Sequence, residues 1–314
     1  MRAMTPASRR PESCLRRYGR EPTDKNSAAR RFALGVEYDG TDFVGWQHQE
    51  GLRSVQDTLE TALSRVANHP LTVFCAGRTD AGVHAGGQVV HFDTNSVRSP
   101  RSWLLGVNSN LPADVALRWI REVPGDFHAR FSARSRTYRY QLLQQSLRPV
   151  SCRRTCAWIH SRLDIARMRR AGELLLGEHD FSAFRAAGCQ AKSSVRTIKR
   201  LEIRTRGSLV WIEIEANAFL YRMVRNIVGS LLVVGKGDAS LGWLGKLLQG
   251  GDRRAGGPTA PARGLNLLGV DYPERFGVPS CAVLLEPDFG IDCDRIDSVP
   301  YNDKSLLPGP DYQS

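Results

Sequence analysis

Phe32, Leu34, Val36 and Tyr38 alternate with Ala33, Gly35 and Glu37, a period of two that marks a strand. Asp39-Gly40 ends it. Ser54-Val55-Gln56-Asp57 has the form of a capping box, and apolar residues follow at 55, 59, 62, 63 and 66. That spacing predicts a helix over 55–67. Segments 71–74 and 88–93 read as strands on either side of a glycine-rich loop. Segment 103–109 reads as a short helix, ended before Leu111-Pro112. A second series follows the same order. Segments 137–143 and 155–159 are strand-like. Asp164 caps a helix with apolar positions 165, 168, 171, 174 and 175. Segments 198–204 and 210–216 are strands around an Arg206-Gly207 turn, and 220–234 is a helix apolar on most sides, hence buried. The simplest architecture is α+β, with two similar α/β halves joined near residues 125–140. The halves share element order, not repeated sequence. We divide the chain into a basic disordered arm (1–30), an N-terminal half with the loop (31–135), a C-terminal half (136–279) and an acidic disordered tail (280–314).

Charge changes this picture more than composition does. An apolar content of 41% and a charged content of 24% are ordinary for a globular chain of 314 residues. The net charge of +12 favours a polyanionic partner such as nucleic acid. Residues 1–31 carry +6 and residues 282–314 carry −5, so the part between them is itself basic, at +11. The arm is also compatible with an organelle-targeting segment, although it lacks an amphipathic apolar stripe. Seven cysteines, odd in number and irregular in spacing, favour a reducing cytosol. Cys152-x3-Cys156-x3-His160 is not a common zinc pattern and has no obvious fourth ligand. No apolar run approaches the ~18 residues that a membrane-spanning helix needs.

Candidate chemistry centres on Gly77-Arg78-Thr79-Asp80-Ala81-Gly82-Val83-His84-Ala85. A carboxylate in such a turn is compatible with two readings. It hydrogen-bonds the backbone two residues on, as turn aspartates do, or it is a reacting group. The run is neither a P-loop nor a dinucleotide-binding fingerprint. Arg222 and Arg225 open the otherwise apolar helix near 220. Either they snorkel to the surface, or they pair with a carboxylate. An arginine paired with Asp80 would favour its ionised form, which a carboxylate nucleophile needs. Arginines also alternate with aromatics from Phe127 to Tyr140. That suits an RNA channel, where guanidinium groups meet phosphates and rings stack on bases; it also suits a solvated strand with one face in the core. Lys192, Arg196, Lys199 and Arg200 form a second basic cluster open to the same two readings.

With these residues in place, the run Ala76–Ala85 resembles the active-site signature of TruA-type tRNA pseudouridine synthases. Phe127-His128-Ala129-Arg130 through Arg136-Thr137-Tyr138-Arg139-Tyr140 is similar to a second motif of that family. His179-Asp180-Phe181 with Arg196-Thr197-Ile198, and Asn217-Ala218-Phe219 through Met223-Val224-Arg225-Asn226, resemble two more, in the same order. Ala260-Pro261-Ala262-Arg263-Gly264-Leu265 resembles the closing motif. The resemblance runs from about residue 31 to 279. It implies a shared central antiparallel sheet with a cleft between the halves. It also implies isomerisation of uridines 38, 39 and 40 of the tRNA anticodon arm to pseudouridine, in a cytoplasmic homodimer without cofactor or metal. By the same resemblance Asp80 is the catalytic aspartate, Tyr138 stacks on the target uracil, Arg225 pairs with the aspartate and Arg78 helps displace the base.

The residues make that chemistry reasonable. A stem base must be flipped out at a cost of a few kcal/mol, and stacking on Tyr138 would recover roughly 1–3 kcal/mol. Attack on the sugar, attack on the ring and removal of a sugar proton all stay open to Asp80. Tyr221 and Arg222 stand where many members of the family carry histidines, and Ser194 where many carry proline. These are expected to touch no reacting group. Cys75 and Cys189 read as buried structural thiols. Two rival functions are an idle RNA-binding relative of the same fold, and a hydrolase that uses Asp80 with His84 as its acid or base.

Overall fold

β1 (Arg30–Tyr38) buries Phe32, Leu34, Val36 and Tyr38 on one face, as its alternation requires. A computed structural model describes residues 29–279. The expected acidic tail, and the basic arm apart from Ala29 and Arg30, lie outside the described residues. Next come α1 (Val55–Ala67), capped by the Ser54 side chain, β2 (Phe74–Cys75) and β3 (His84–Thr94). The Phe32 and Phe92 rings of β1 and β3 stack at 5.7 Å, and Trp103 of α2 (Pro100–Asn108) closes over both at 6.1 and 5.3 Å. One face of this half of the sheet is therefore roofed by a helix. β4 (Val115–Val123) completes the edge beside β1.

The second series comprises β5 (Ser135–Gln144), β6 (Ala157–Ile159), α3 (Ile165–Glu173), β7 (Gly177–Asp180), β8 (Val195–Arg206) and β9 (Leu209–Ala216). Asp164 caps α3 as expected. α4 (Met223–Lys236), α5 (Leu241–Gly250) and β10 (Leu265–Asp271) follow. The ten strands make one sheet in the order β4-β1-β3-β10-β5-β9-β8-β7, with β2 on β3 and β6 on β5. It is mixed rather than purely antiparallel, because β10 runs parallel to β3, and β6 to β5. The β3–β10 pairing joins the two series at the centre of the sheet. The boundary drawn at 135/136 falls at the start of β5.

Two expected elements differ for physical reasons. Of the expected strand over 71–74 only Phe74 pairs, together with Cys75 just beyond it. Leu71 and Val73 are buried, but their N–H groups donate to Ser64 Oγ and Glu60 Oε1 of α1, both at 2.9 Å. Helix side chains thus take the place of a strand partner. The expected helix over 220–234 begins only at Met223, because Arg222 adopts the left-handed conformation, φ 58°. β4, β7, α5 and β10 were not anticipated.

The segment after β4 is held over the sheet by two histidines. Ala129 N–H donates to His91 Nδ1 at 3.2 Å, and Arg130 and Phe131 N–H point to His128 Nδ1 at 3.1 and 3.3 Å. These bonds need neutral rings. Burial pushes His91 down to about 4, with His128 and Arg31 adding to the effect and Asp93 and a bond at the Phe74 backbone opposing it. A depressed histidine contributes stability that is present above its unfolded value, near 6.5, and lost as pH falls toward the folded one. Unfolding free energy is therefore expected to decline between about pH 6.5 and 4. Urea titrations across that range should show a shallower decline for His91→Gln than for the wild type. Identical slopes would remove His91 from this role.

Candidate active site

The backbone of the loop between β2 and β3 is satisfied by its surroundings. Asp80 bridges Gly45, Trp46 N–H donates to Thr79 O at 3.0 Å, and Gly82 N–H donates to Phe43 O at 3.3 Å. Gln88 clasps Gly77 from both sides: its Nε2 donates to Gly77 O at 2.6 Å and its Oε1 accepts from Gly77 N–H at 3.3 Å. Gly45 has φ 114°, and a Cβ there would meet Thr79 O at 2.7 Å, so no other residue lets the two backbones approach. Among the described residues, no backbone N–H donates to the Asp80 carboxylate. It is therefore free of the turn's own hydrogen bonding.

Asp80 faces the first turn of α4 instead. Arg225 Nη1 donates to Asp80 Oδ2 at 2.9 Å, and Arg225 Nε donates to Ala260 O at 2.7 Å. Ala260 N–H returns a bond to Arg225 O at 3.1 Å. The Arg225 guanidinium is thus fixed at both ends. Arg222 Nε lies 3.8 Å from the same Oδ2. Nothing among the described residues hydrogen-bonds Oδ1. The side chains of Asp80 and Arg225 are 19% and 13% exposed, against 43% for Arg222. Cations at a helix N-terminus work against its dipole, at roughly 0.3–1 kcal/mol each. A unit charge pair near 4 Å at an effective dielectric near 20 attracts by about 4 kcal/mol before desolvation. The carboxylate therefore decides where these arginines sit.

Tyr138 lies on β5 with its ring buried, edge-on to Phe219 at 5.1 Å. Its hydroxyl is near Gly77, where a Cβ would come within 3.5 Å of it, and has no hydrogen-bond partner among the described residues. Burial pushes its pKa up; Arg136 opposes and Asp80 adds to the rise, so the phenol keeps its proton. Two strand positions earlier, on the same face, Arg136 is buried with no ion-pair partner among the described residues. Its Nη2 donates to Ala76 O at 3.0 Å and to Arg130 O; its Nη1 donates to Asn217 O at 2.9 Å and Ala133 O at 3.4 Å. One guanidinium thereby ties the loop to the end of β9.

The structure brings Asp80, Arg225 and Tyr138 into one place. Arg78 is exposed and forms no ion pair among the described residues. Sequence reasoning missed Arg136, although the period of two that buries Tyr138 and Tyr140 also buries position 136. It also set Arg222 aside as touching no reacting group, and the 3.8 Å approach to Oδ2 corrects that. The i, i+3 spacing from Arg225 was the available signal. His84 is no acid or base for Asp80. Gly40 N–H donates to its Nδ1 at 3.2 Å and its Nε2 lies 2.9 Å from Arg154 O, so both nitrogens are taken. Along 127–140, Phe127, Arg136, Tyr138 and Tyr140 are buried, while Arg130, Phe131 and Arg134 are exposed, so only part of that segment is available to RNA. In the second basic cluster, Arg200 is paired with Glu202, Glu213 and Glu215. Cys75 is half-buried rather than fully buried, and desolvation still pushes its thiol up to about 12. Cys189 is no buried thiol either: burial is outweighed by N–H donors from Tyr221 and Ala191 and by Arg185, and its pKa is lowered.

A cavity of about 910 Å³ opens beside the loop, bounded by Gly82, Pro261, Ala262 and Trp158, with Arg148, Arg153, Arg154 and Arg263 around it. Arg154 leans toward Asp39 and Asp42. The other three form no ion pair among the described residues. No group of three or more His, Cys, Asp or Glu among the described residues is placed to hold a metal ion. Among the described residues no helix is long and apolar enough to cross a membrane.

The sheet is mixed and ten-stranded, and its loop between β2 and β3 carries an arginine-paired aspartate rather than a P-loop or dinucleotide-binding fingerprint. The family model for tRNA pseudouridine synthase matches residues 35–132 and 171–273. The tRNA pseudouridine synthase A of Enterobacter sp. (strain 638) is 53% identical over 79% of this chain and 92% of its own length. The enzyme of the same name from Vibrio parahaemolyticus is 52% identical over 82% of this chain and 98% of its length. That of Salmonella typhimurium is 51% identical over 81% and 94%. A solved archaeal box H/ACA sRNP Nop10-Cbf5 complex is far more distant, at 13% identity over 72% of this chain and 60% of that one, with a TM-score of 0.30. The chain belongs to the tRNA pseudouridine synthase family.

Arg136 supplies a test of how the loop is held. A lysine is a single point of charge and cannot serve carbonyls lying in several directions. Arg136→Lys is expected to lower stability by roughly 2–4 kcal/mol, because buried carbonyls lose their donors. Urea unfolding measures this, and a loss below about 0.5 kcal/mol, typical of a surface change, would contradict the reading.

Proposed function

We propose that this chain isomerises uridine to pseudouridine in tRNA, with Asp80 as the reacting carboxylate. The observation that carries the reading is the asymmetry of that carboxylate. Oδ2 is held by Arg225, while Oδ1 has no hydrogen-bond partner among the described residues. The reaction breaks the C1′–N1 bond and forms C1′–C5. The hydrogen on C5 leaves to solvent and N1 gains a proton. No electrons enter or leave, and no co-reactant is consumed. Asp80 supplies the attacking oxygen, Arg225 holds and orients its partner oxygen, and Tyr138 offers a face for the extruded pyrimidine. Arg78, exposed in the same loop, helps displace the base. By resemblance, the targets are uridines 38, 39 and 40 of the anticodon arm. A site serving three neighbouring positions selects by shape and phosphate contacts rather than base edges. The two halves of the chain, 31–135 and 136–279, form the walls of the cleft, and the enzyme works in the cytoplasm as a homodimer. The intact Asp80, Arg225 and Tyr138 arrangement favours turnover over an idle RNA-binding relative.

Unmodified tRNA tritiated at uridine C5 tests this directly. The wild type should release tritium from the anticodon arm. Asp80→Asn should release none while binding tRNA within a few-fold of wild type. Comparable release by the variant would take Asp80 out of its role. Tyr138→Phe keeps the ring and should stay far more active than Asp80→Asn; equal collapse would make the hydroxyl, rather than the face, the essential group.

A further inference from the structure

We propose that Arg222 is a phosphate-binding residue for the target nucleotide, resting on the pseudouridine synthase reading above. In the free enzyme it leans on Asp80, and on RNA entry it moves to the backbone phosphate of the flipped nucleotide. Asp80 does not need it as a hydrogen-bond donor, since Arg225 already holds Oδ2 at 2.9 Å. The Arg222 approach of 3.8 Å is electrostatic contact beyond hydrogen-bond reach. None of its five N–H groups donates to any described residue. The guanidinium lies over the Tyr221 ring, 5.0 Å from its centroid, and both side chains are about two-fifths exposed. It is therefore an oriented, unsatisfied fork beside the reacting carboxylate and open to solvent, which is the form that recognises a phosphate.

The backbone adds an independent observation. Arg222 and Asn68 are the two non-glycine residues with positive φ among those described. Asn tolerates that conformation; arginine is strained in it. Arg222 makes no side-chain cap to α4 in return. Glycine would turn the chain into α4 without strain. What glycine would lose is the guanidinium. Strain held at a site without a structural return marks a residue kept for what its side chain touches.

The exchange follows from charge. An ionised Asp80 repels an approaching polyanion. A cation beside it screens that repulsion in the free enzyme. The nucleotide whose C1′ reacts brings its own phosphate to the same place. Arg222 then changes partners, while Arg225, pinned to Ala260, stays with Asp80.

The experiment compares wild type, Arg222→Gly and Arg222→Lys on C5-tritiated unmodified tRNA, with kcat, KM and tRNA Kd measured at several salt concentrations and unfolding followed in parallel. Arg222→Gly should unfold no earlier than wild type, because strain is relieved. Its Kd and KM should rise about 10- to 100-fold, the range for one charge-assisted contact, with kcat changed less than KM. The slope of log affinity against log salt should become shallower by roughly 0.7–0.9, one phosphate contact's worth. Arg222→Lys should recover most of the affinity and the slope. Wild-type affinity and slope in Arg222→Gly would overturn the proposal. So would a lysine variant as impaired as the glycine one, or a collapse of kcat with KM and slope unchanged, which would assign Arg222 to Asp80 alone. Absence of tritium release by the wild type itself would fell the parent reading, and this inference with it.

Discussion

Everything at the site depends on one ion pair that closes a circuit through the sheet. Arg225 on α4 reaches Asp80 on one side and the Ala260 carbonyl on the other. Ala260 lies in the segment that leads into β10. β10 pairs with the start of β3, where Asn266 faces His84, and the Asn266 side chain also accepts the Gly86 N–H at 2.8 Å. The start of β3 is where the Asp80 loop ends. Loop, arginine, segment, strand and strand therefore form a ring. The parallel β3–β10 pairing, short as it is, sets the distance across which Asp80 and Arg225 must meet. A carboxylate positioned this way has its counter-ion built into the fold rather than recruited from solvent.

That arrangement also sorts the cations by function. Arg225 and Arg136 are largely withdrawn from water and bind fixed acceptors, the first a carboxylate and a carbonyl, the second carbonyls alone. A buried guanidinium is costly unless every donor direction is served. Serving them rigidifies what they touch. Arg136 holds the entry to the loop at Ala76, and Arg225 holds its turn at Asp80, so the two ends of the reactive segment are fixed by different strands and helices. Exposed arginines such as Arg78 and Arg130 carry no such duty. Their charge remains available to a polyanion.

Sequence patterning made the elements legible wherever one period ran unbroken. β1, α1 and β5 are such cases. β4 and β10 were hidden by bulges. Gly35 pairs with Trp119 and Val36 with Leu117, so Arg118 is an extra residue that shifts the buried parity from 115 and 117 to 120. In β10, Leu267 pairs with Tyr138 and Gly269 with Thr137, and Leu268 is the extra residue. No stretch of either strand keeps alternation long enough to be recognised. At the site, carboxylate pairing of Arg222 and Arg225 was one of two readings their apolar setting allowed, and which carboxylate was not legible. The resemblance supplied Asp80, Tyr138 and Arg225. Arg222 was lost because the helix was extended back through it. Its left-handed turn, invisible to periodicity, is what brings it to Asp80. Arg136 was read as part of a basic stripe, although its strand parity placed it inside.

Net charge alone does not say where RNA lies; pairing narrows the choice. On the far face of β5, Arg139 is in contact with Glu213, and Arg200 with Glu202, Glu213 and Glu215. Those cations are spent within the sheet, and a phosphate would have to compete with carboxylates already desolvated around them. Around the cavity beside Gly82, Arg148, Arg153 and Arg263 have no such competitor among the described residues. A phosphate entering there replaces only water and counter-ions, the exchange that drives polyanion binding. The cavity shares Gly82 and Ala262 with the ends of the same ring that holds Asp80. A backbone bound at those arginines would approach the carboxylate from the Gly82 side, while Arg222 and Tyr138 meet it from α4 and β5. A nucleotide between them would be met from several elements of the fold at once, which is what turning a base out of its stack requires.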